Sequence, residues 1–322
     1  MIKKIDISHK TIIFTTFFLL GLWSLFLIKD LLILLFVAVT LMSAIAPMIN
    51  FFMKVKIPKG LSIISAYVII IGILVSVFAS LLQPLIEQSS RLVTSLPTLL
   101  IEQLNIISVD PAVFQSQLTD LSKNILSLSL EIFNNLITII LLLVLTFYLL
   151  LEKESLEKNI SSLFVGQELR VREMIIKIEE KLGAWVRGQL TLSLIIGVIS
   201  YIGLLILDIP YALPLALLAA VMEVIPVIGP IIAAIPAILV SLTISPVLAM
   251  VVAVLYFIIQ QLESHLVVPQ VMKRAVGLNP LMVILAVAVG SRLLGIAGAL
   301  LAVPLVVVAQ IIISDIIAKS KN

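Results

Sequence analysis

Six uncharged, apolar stretches, at residues 12–28, 31–49, 61–82, 132–151, 190–207 and 246–262, limit this chain to one kind of architecture. A helix rises 1.5 Å per residue, so about 17 to 25 such residues cross the ~30 Å hydrocarbon core of a bilayer. Inside lipid, every backbone N–H and C=O must be satisfied within the structure, which leaves helices or closed barrels. A barrel needs strands of alternating apolar and polar residues, and that pattern is absent. Composition agrees, with 61% of residues apolar and only 12% charged. The expected fold is all-α, a polytopic transmembrane helical bundle, and the first partner is the lipid bilayer.

Several chemistries are disfavoured at once. The chain has no Cys, so it offers neither disulfides nor thiolates, and its two His, His9 and His265, are too isolated for a zinc site. There is no GxxxxGK[ST] loop to cradle a nucleotide and no HExxH, and no membrane-buried Ser is expected to have a His partner. We therefore expect no cofactor, no enzymatic activity and no direct use of ATP. The net charge of +3 is spread over connecting loops rather than gathered in a patch, which argues against nucleic acid.

Read in order, Lys3, Lys4 and Lys10 precede a first span that resembles a signal peptide but lacks a small-residue cleavage site, so it is expected to be retained. Lys29 and Asp30 are expected to form a minimal turn to the second span. Residues 1–82 thus hold three spans, and 83–131 form an amphipathic extracytoplasmic region divided by Pro84, Pro97 and Pro111. The fourth span is 132–151. Residues 152–189 carry seven Lys or Arg and are expected to form an amphipathic helix lying on the cytoplasmic face. Residues 190–322 would be the transport core. In this arrangement 17 of the 21 Lys and Arg fall in cytoplasmic segments, with both termini inside.

The core contains two apolar segments interrupted by Gly and Pro. Superposing Pro214 on Pro280 also superposes Gly229 on Gly295, and both copies run on to a further Pro, at 236 and 304. Residues 215–223 are too few to cross, so the first segment is expected to be a re-entrant hairpin entering from outside. By the same logic the second enters from inside, and the repeats are inverted. Broken helices at matching places in two repeats point to a transporter's binding site. The candidate pathway residues are the tip positions Pro226, Gly229 and Pro230 with Gly290, Ser291 and Gly295, whose backbone groups would be ligands. A competing reading is that the glycines only permit close helix packing.

An ionised side chain at membrane depth needs a partner or water. Glu223 and Arg292, one in each hairpin, are expected to pair across the tips, with an Arg292 that snorkels to an interface and a proton- or cation-carrying Glu223 as the rivals. Gln260 and Glu263, at the end of a span, are candidates for the pathway wall.

Four segments carry a family resemblance: WVRGQL (185–190), EVIPVIGPIIAAIP (223–236), LESHLVVPQVMKRAVGLNP (262–280) and GIAGALLAVP (295–304). They resemble the bacterial autoinducer-2 exporter family of permeases, and Arg187, Glu223, Pro226, Gly229, Pro230, Glu263, Pro269, Gly277, Pro280, Gly295 and Pro304 match its pattern. The resemblance implies a multi-pass protein of the bacterial inner membrane that exports small polar solutes, among them a quorum-sensing signal. It also implies a homo-oligomer, a pentamer in the family. Some relatives exchange sodium or another cation for protons, so antiport with proton or sodium coupling is the alternative function. A scaffold that transports nothing is the alternative of another class.

Overall fold

The computed structural model describes residues 9–76, 136–226, 228–272, 277 and 279–320. The expected extracytoplasmic region at 83–131 lies outside them. The described elements are α1 (His9–Leu27), α2 (Lys29–Lys54), α3 (Lys59–Ser76), α4 (Leu136–Ser162), α5 (Glu168–Ile206), α6 (Ala212–Met222), α7 (Ile228–Leu242) and α8 (Pro246–Leu262). A π-helical turn (Glu263–Val267), a short α9 (Val268–Met272) and α10 (Pro280–Ser320) complete them. There is no strand among the described residues, and six helices are long and apolar enough to cross a membrane.

One expected turn falls a residue earlier. Lys29 and Asp30 are helical and open α2, and the break is at Ile28 (φ −98°, ψ 12°), which accepts from Leu32 N at 3.0 Å and donates from its own N to Ser24 O at 3.1 Å. α1 stays exposed along its described length. The segment 152–189 is not a separate helix. Its first part is the end of α4 and its last part opens α5, a 39-residue rod roughly 58 Å long that runs unbroken from charged to apolar sequence.

α5 is the spine of the bundle. Near its middle it meets α2, where a Cβ on Gly183 would overlap the Ser43 carbonyl oxygen. Pro47, inside α2, has no N–H to give to that carbonyl, which is left without its helical donor. Arg187 supplies one, with Nη1 3.3 Å from Ser43 O and 3.2 Å from Ala44 O. Arg187→Met is expected to cost about 1.5 kcal/mol, the lower end for a charge-assisted bond because the side chain is largely exposed. In a Pro47→Ala background, where the helix itself can bond Ser43 O, most of that loss should disappear. Chemical denaturation of the four proteins measures the coupling; additive losses would show that Arg187 does not serve the carbonyl freed by Pro47.

On the other side α5 packs α6, α7 and α8 around Leu204, Leu215, Ala219, Ala237, Val252 and Tyr256. α6 and α7 form a helical hairpin, closed where a Cβ on Gly229 would overlap the Met222 carbonyl oxygen. Ser245 caps α8, its hydroxyl accepting from Leu248 N at 3.0 Å, and Pro246 occupies the first turn where no N–H is needed.

The second broken segment also folds back. Leu294 (φ −133°, ψ 15°) and Gly295 (φ 61°, ψ −140°) leave helical geometry inside α10. A Cβ on Gly290 or on Gly298 would overlap the other's carbonyl oxygen, although an intact helix would hold them about 12 Å apart. The chain reverses at Gly295, whose positive φ suits glycine. Both arms then enclose Val287, Ala299 and Ala302. Each hairpin also carries a Pro within its second arm, Pro236 and Pro304, matching the repeat seen in sequence.

Candidate functional site

The turn after α6, residues 223–226, carries the most deeply buried charged-type side chain of the described fold. Glu223 is 1% exposed. Its position follows from local sequence: α6 ends at Met222, and Pro226 with Gly229 and Pro230 forces a reversal within one turn. The turn consumes its own amides, because Glu223 N, Val224 N, Ile225 N and Gly229 N donate to Ala219, Val221, Met222 and Ile225 carbonyls at 2.9–3.2 Å. These amides are committed inside the turn, and Gly229 serves the close approach of the two arms.

The side chains are what make this turn polar. Gln189 of α5, itself buried, donates from Nε2 to the Glu223 carbonyl at 2.6 Å. One turn further along α5, the Ser193 hydroxyl is buried without a partner. The Glu223 carboxyl faces that of Glu263, the first residue of the π-helical turn, within hydrogen-bonding reach. Glu263 is 7% exposed, and each carboxyl keeps its Oε2 fully buried with no donor. A π-helical turn widens the helix by one residue and often marks a functional position. Here Glu263 continues the buried stripe of α8, after Ala249, Val252, Tyr256 and Ile259 at helical spacing, and so faces inward.

The expected pairing of Glu223 with Arg292 does not occur. Arg292 is exposed near the end of the first arm of the second hairpin, and among the described residues Glu223 makes no ion pair. Ser291 and Gly295 are exposed as well, Ser291 bonding the Ala288 carbonyl at 2.9 Å, while Gly290 is half-buried against Gly298. The structure thus joins Glu223, Pro226, Gly229, Pro230 and Glu263 around one turn and leaves the polar residues of the second turn outside it. Gln260 is half-buried in the last turn of α8. The hairpins do touch, through Ile225 of the first turn, which packs on the Val287, Ala299 and Ala302 cluster of the second. An apolar groove on α10 lined by Met282, Val306, Gln310 and Ile313 shares no residue with the carboxyl cluster.

Gln189 was not singled out from sequence, though it stands in WVRGQL two residues from Arg187. The signal was its position: a Gln on an apolar helix, between two charged or broken elements, needs a partner at depth.

Comparison with known proteins converges on transport. The permease candidate PerM of Escherichia coli (strain K12) is 29% identical over 205 residues, 62% of this chain and 58% of that protein. The transport-protein candidate YueF of Bacillus subtilis (strain 168) is 28% identical over 289 residues, 81% of this chain and 78% of its own. A second transport-protein candidate of that strain, YrrI, is 27% identical over 168 residues. That match covers 52% of this chain and about half of YrrI, 48% of its length. A profile described as AI-2E family transporter matches residues 12–318, and the chain, a multi-pass helical membrane protein, therefore belongs to the AI-2E transporter family.

Proposed function

We propose that this protein is a secondary transporter that moves a small polar solute outward across the bacterial inner membrane, with autoinducer-2 as a candidate solute and both termini in the cytoplasm. The observation that carries the reading is the Glu223, Gln189 and Glu263 cluster, buried in an apolar bundle at the tip of a broken helix that also touches the second hairpin. α6 and α7, at 11 and 15 residues, are roughly 17 and 22 Å long, less than the ~30 Å hydrocarbon core. This supports a hairpin that enters and returns, with its tip at depth. Non-helical backbone is tolerated there only where protein or water covers it. A homo-oligomer, the pentamer of the family, is part of the proposal.

The carboxyl pair favours a second reading, sodium/proton antiport. A flux screen in proteoliposomes, with and without a proton gradient, separates them. The first reading expects gradient-dependent solute movement that is lost in Glu223→Gln. If Glu223→Gln abolishes signal efflux but leaves cation/proton exchange intact, antiport through this carboxyl is rejected. If no solute or ion moves under any gradient, both fail and a scaffold remains.

A further inference from the structure

The transport reading leaves open what the two carboxyls do to each other. Ionised carboxylates have only acceptors, so Glu223 and Glu263 can hydrogen-bond to one another only when one carries a proton. The other buried acidic side chains of the described fold, Glu157 and Glu179, have cations beside them, Lys153 for both and Arg172 for Glu157. Among the described residues, the groups facing Glu223 and Glu263 offer no such cation. From α5 come the Gln189 amide and Arg187, whose guanidinium is bonded to the Ser43 and Ala44 carbonyls of α2. The π-helical turn adds His265, exposed and 3.0 Å from the Gln261 carbonyl. From α10, Arg292 is exposed and Asp315 is tied to Arg170, while the Tyr256 hydroxyl of α8 is buried without a partner.

We propose that Glu223 and Glu263 form a one-proton site that latches the tip of the first hairpin to the π-helical turn. With the proton in place, a carboxyl–carboxyl hydrogen bond joins the two elements. When it leaves to water, two carboxylates in contact repel, and the favourable response is for the turn at 223–226 to move away from Glu263 and admit water. Glu223→Gln and Glu263→Gln each retain a donor facing an acceptor, so both imitate the protonated, latched form.

The inference rests on the transporter reading for its purpose, but its test needs no transport. Infrared spectra of the purified protein in lipid nanodiscs are expected to show a protonated-carboxyl C=O band that is lost in Glu223→Gln and in Glu263→Gln alike. The chain has no Cys, so Val224→Cys gives a single reporter beside the latch. Its reaction with a membrane-impermeant maleimide should accelerate about tenfold from mildly acid to alkaline pH, equivalent to ~1.4 kcal/mol, and stay slow at all pH in both Gln backgrounds. A wild-type reporter indifferent to pH overturns the proposal, as does a C=O band that persists in either variant. A reporter that responds to sodium at constant pH and not to protons overturns it in favour of a cation site. Should either Gln variant fail to fold, the wild-type reporter's pH response still decides. Proteoliposomes that move nothing, beside a reporter that follows pH, would remove the transport reading and leave the latch.

Discussion

Gly298→Ala is expected to destabilise the protein by about 3 kcal/mol, the upper end for overpacking, although Gly→Ala in a helix is ordinarily favourable. The obstacle to the new methyl group is the Gly290 carbonyl on the facing arm, backbone rather than the flexible end of a side chain. Gly290→Ala should cost a similar amount, because its methyl would meet the Gly298 carbonyl in turn. Either change forces the two arms of the second hairpin apart and uncovers Val287, Ala299 and Ala302, on which Ile225 of the first hairpin rests. The control is Gly72→Ala on α3, where a Cβ meets nothing within 4 Å. There the same substitution should gain about 0.5–1 kcal/mol by reducing backbone freedom in the unfolded chain. Denaturation midpoints of the three variants against the parent read the opposite signs. If Gly298→Ala behaves like Gly72→Ala, the arms are not in backbone contact and α10 does not fold back at Leu294 and Gly295.

That reversal was legible in the sequence because Gly and Pro change backbone geometry wherever they stand. Gly295 and the Pro236/Pro304 match located the second break and the common plan of the two hairpins without any knowledge of packing. The apolar runs were legible for the same kind of reason, since length and hydropathy act locally. The junction at Lys29 and Asp30 was placed a residue late because two charges between apolar runs look like a loop, yet both residues tolerate helix and open α2, and the break is at Ile28. The site was read by half. Glu223 stood out as a charge in an apolar hairpin, but its partner could not be chosen from sequence. A helical repeat says which residues share a face, not which face meets another element. Arg292 was the obvious counter-charge, and Glu263 looked like a wet residue at the end of a span. Glu263 stands four residues after Ile259 on the buried stripe of α8, so its inward direction was legible in the helical spacing, while the carboxyl it would meet was not.

The charged extensions of α4 and α5 hold the second prediction, Lys153→Met, which should cost about 3–5 kcal/mol. Lys153 Nζ lies 2.6 Å from Glu179 Oε2 and 3.9 Å from Glu157 Oε1, and these carboxyl side chains are only 11% and 7% exposed. Without the ammonium, Glu179 loses its ion-pair partner, and Glu157 keeps only Arg172 at 3.5 Å, a side chain 49% exposed. Methionine matches the lysine stem in length, so packing is nearly conserved and the loss reports the uncompensated charge. Three comparisons make the origin checkable by chemical denaturation. Lys59→Met, whose partner Glu154 is 78% exposed at 3.4 Å, should cost no more than about 1 kcal/mol. Lys153→Met combined with Glu179→Leu should recover most of the loss, because an apolar pair replaces a buried ion pair at little cost. Acid pH should shrink the Lys153→Met deficit, since a protonated carboxyl needs no cation beside it. A Lys153→Met protein as stable as its parent would mean that the α4 and α5 extensions are held by apolar contact alone. The long, unbroken α5 that carries Arg187 toward α2 and Gln189 toward the Glu223 turn would then not need its charged end to stay in register.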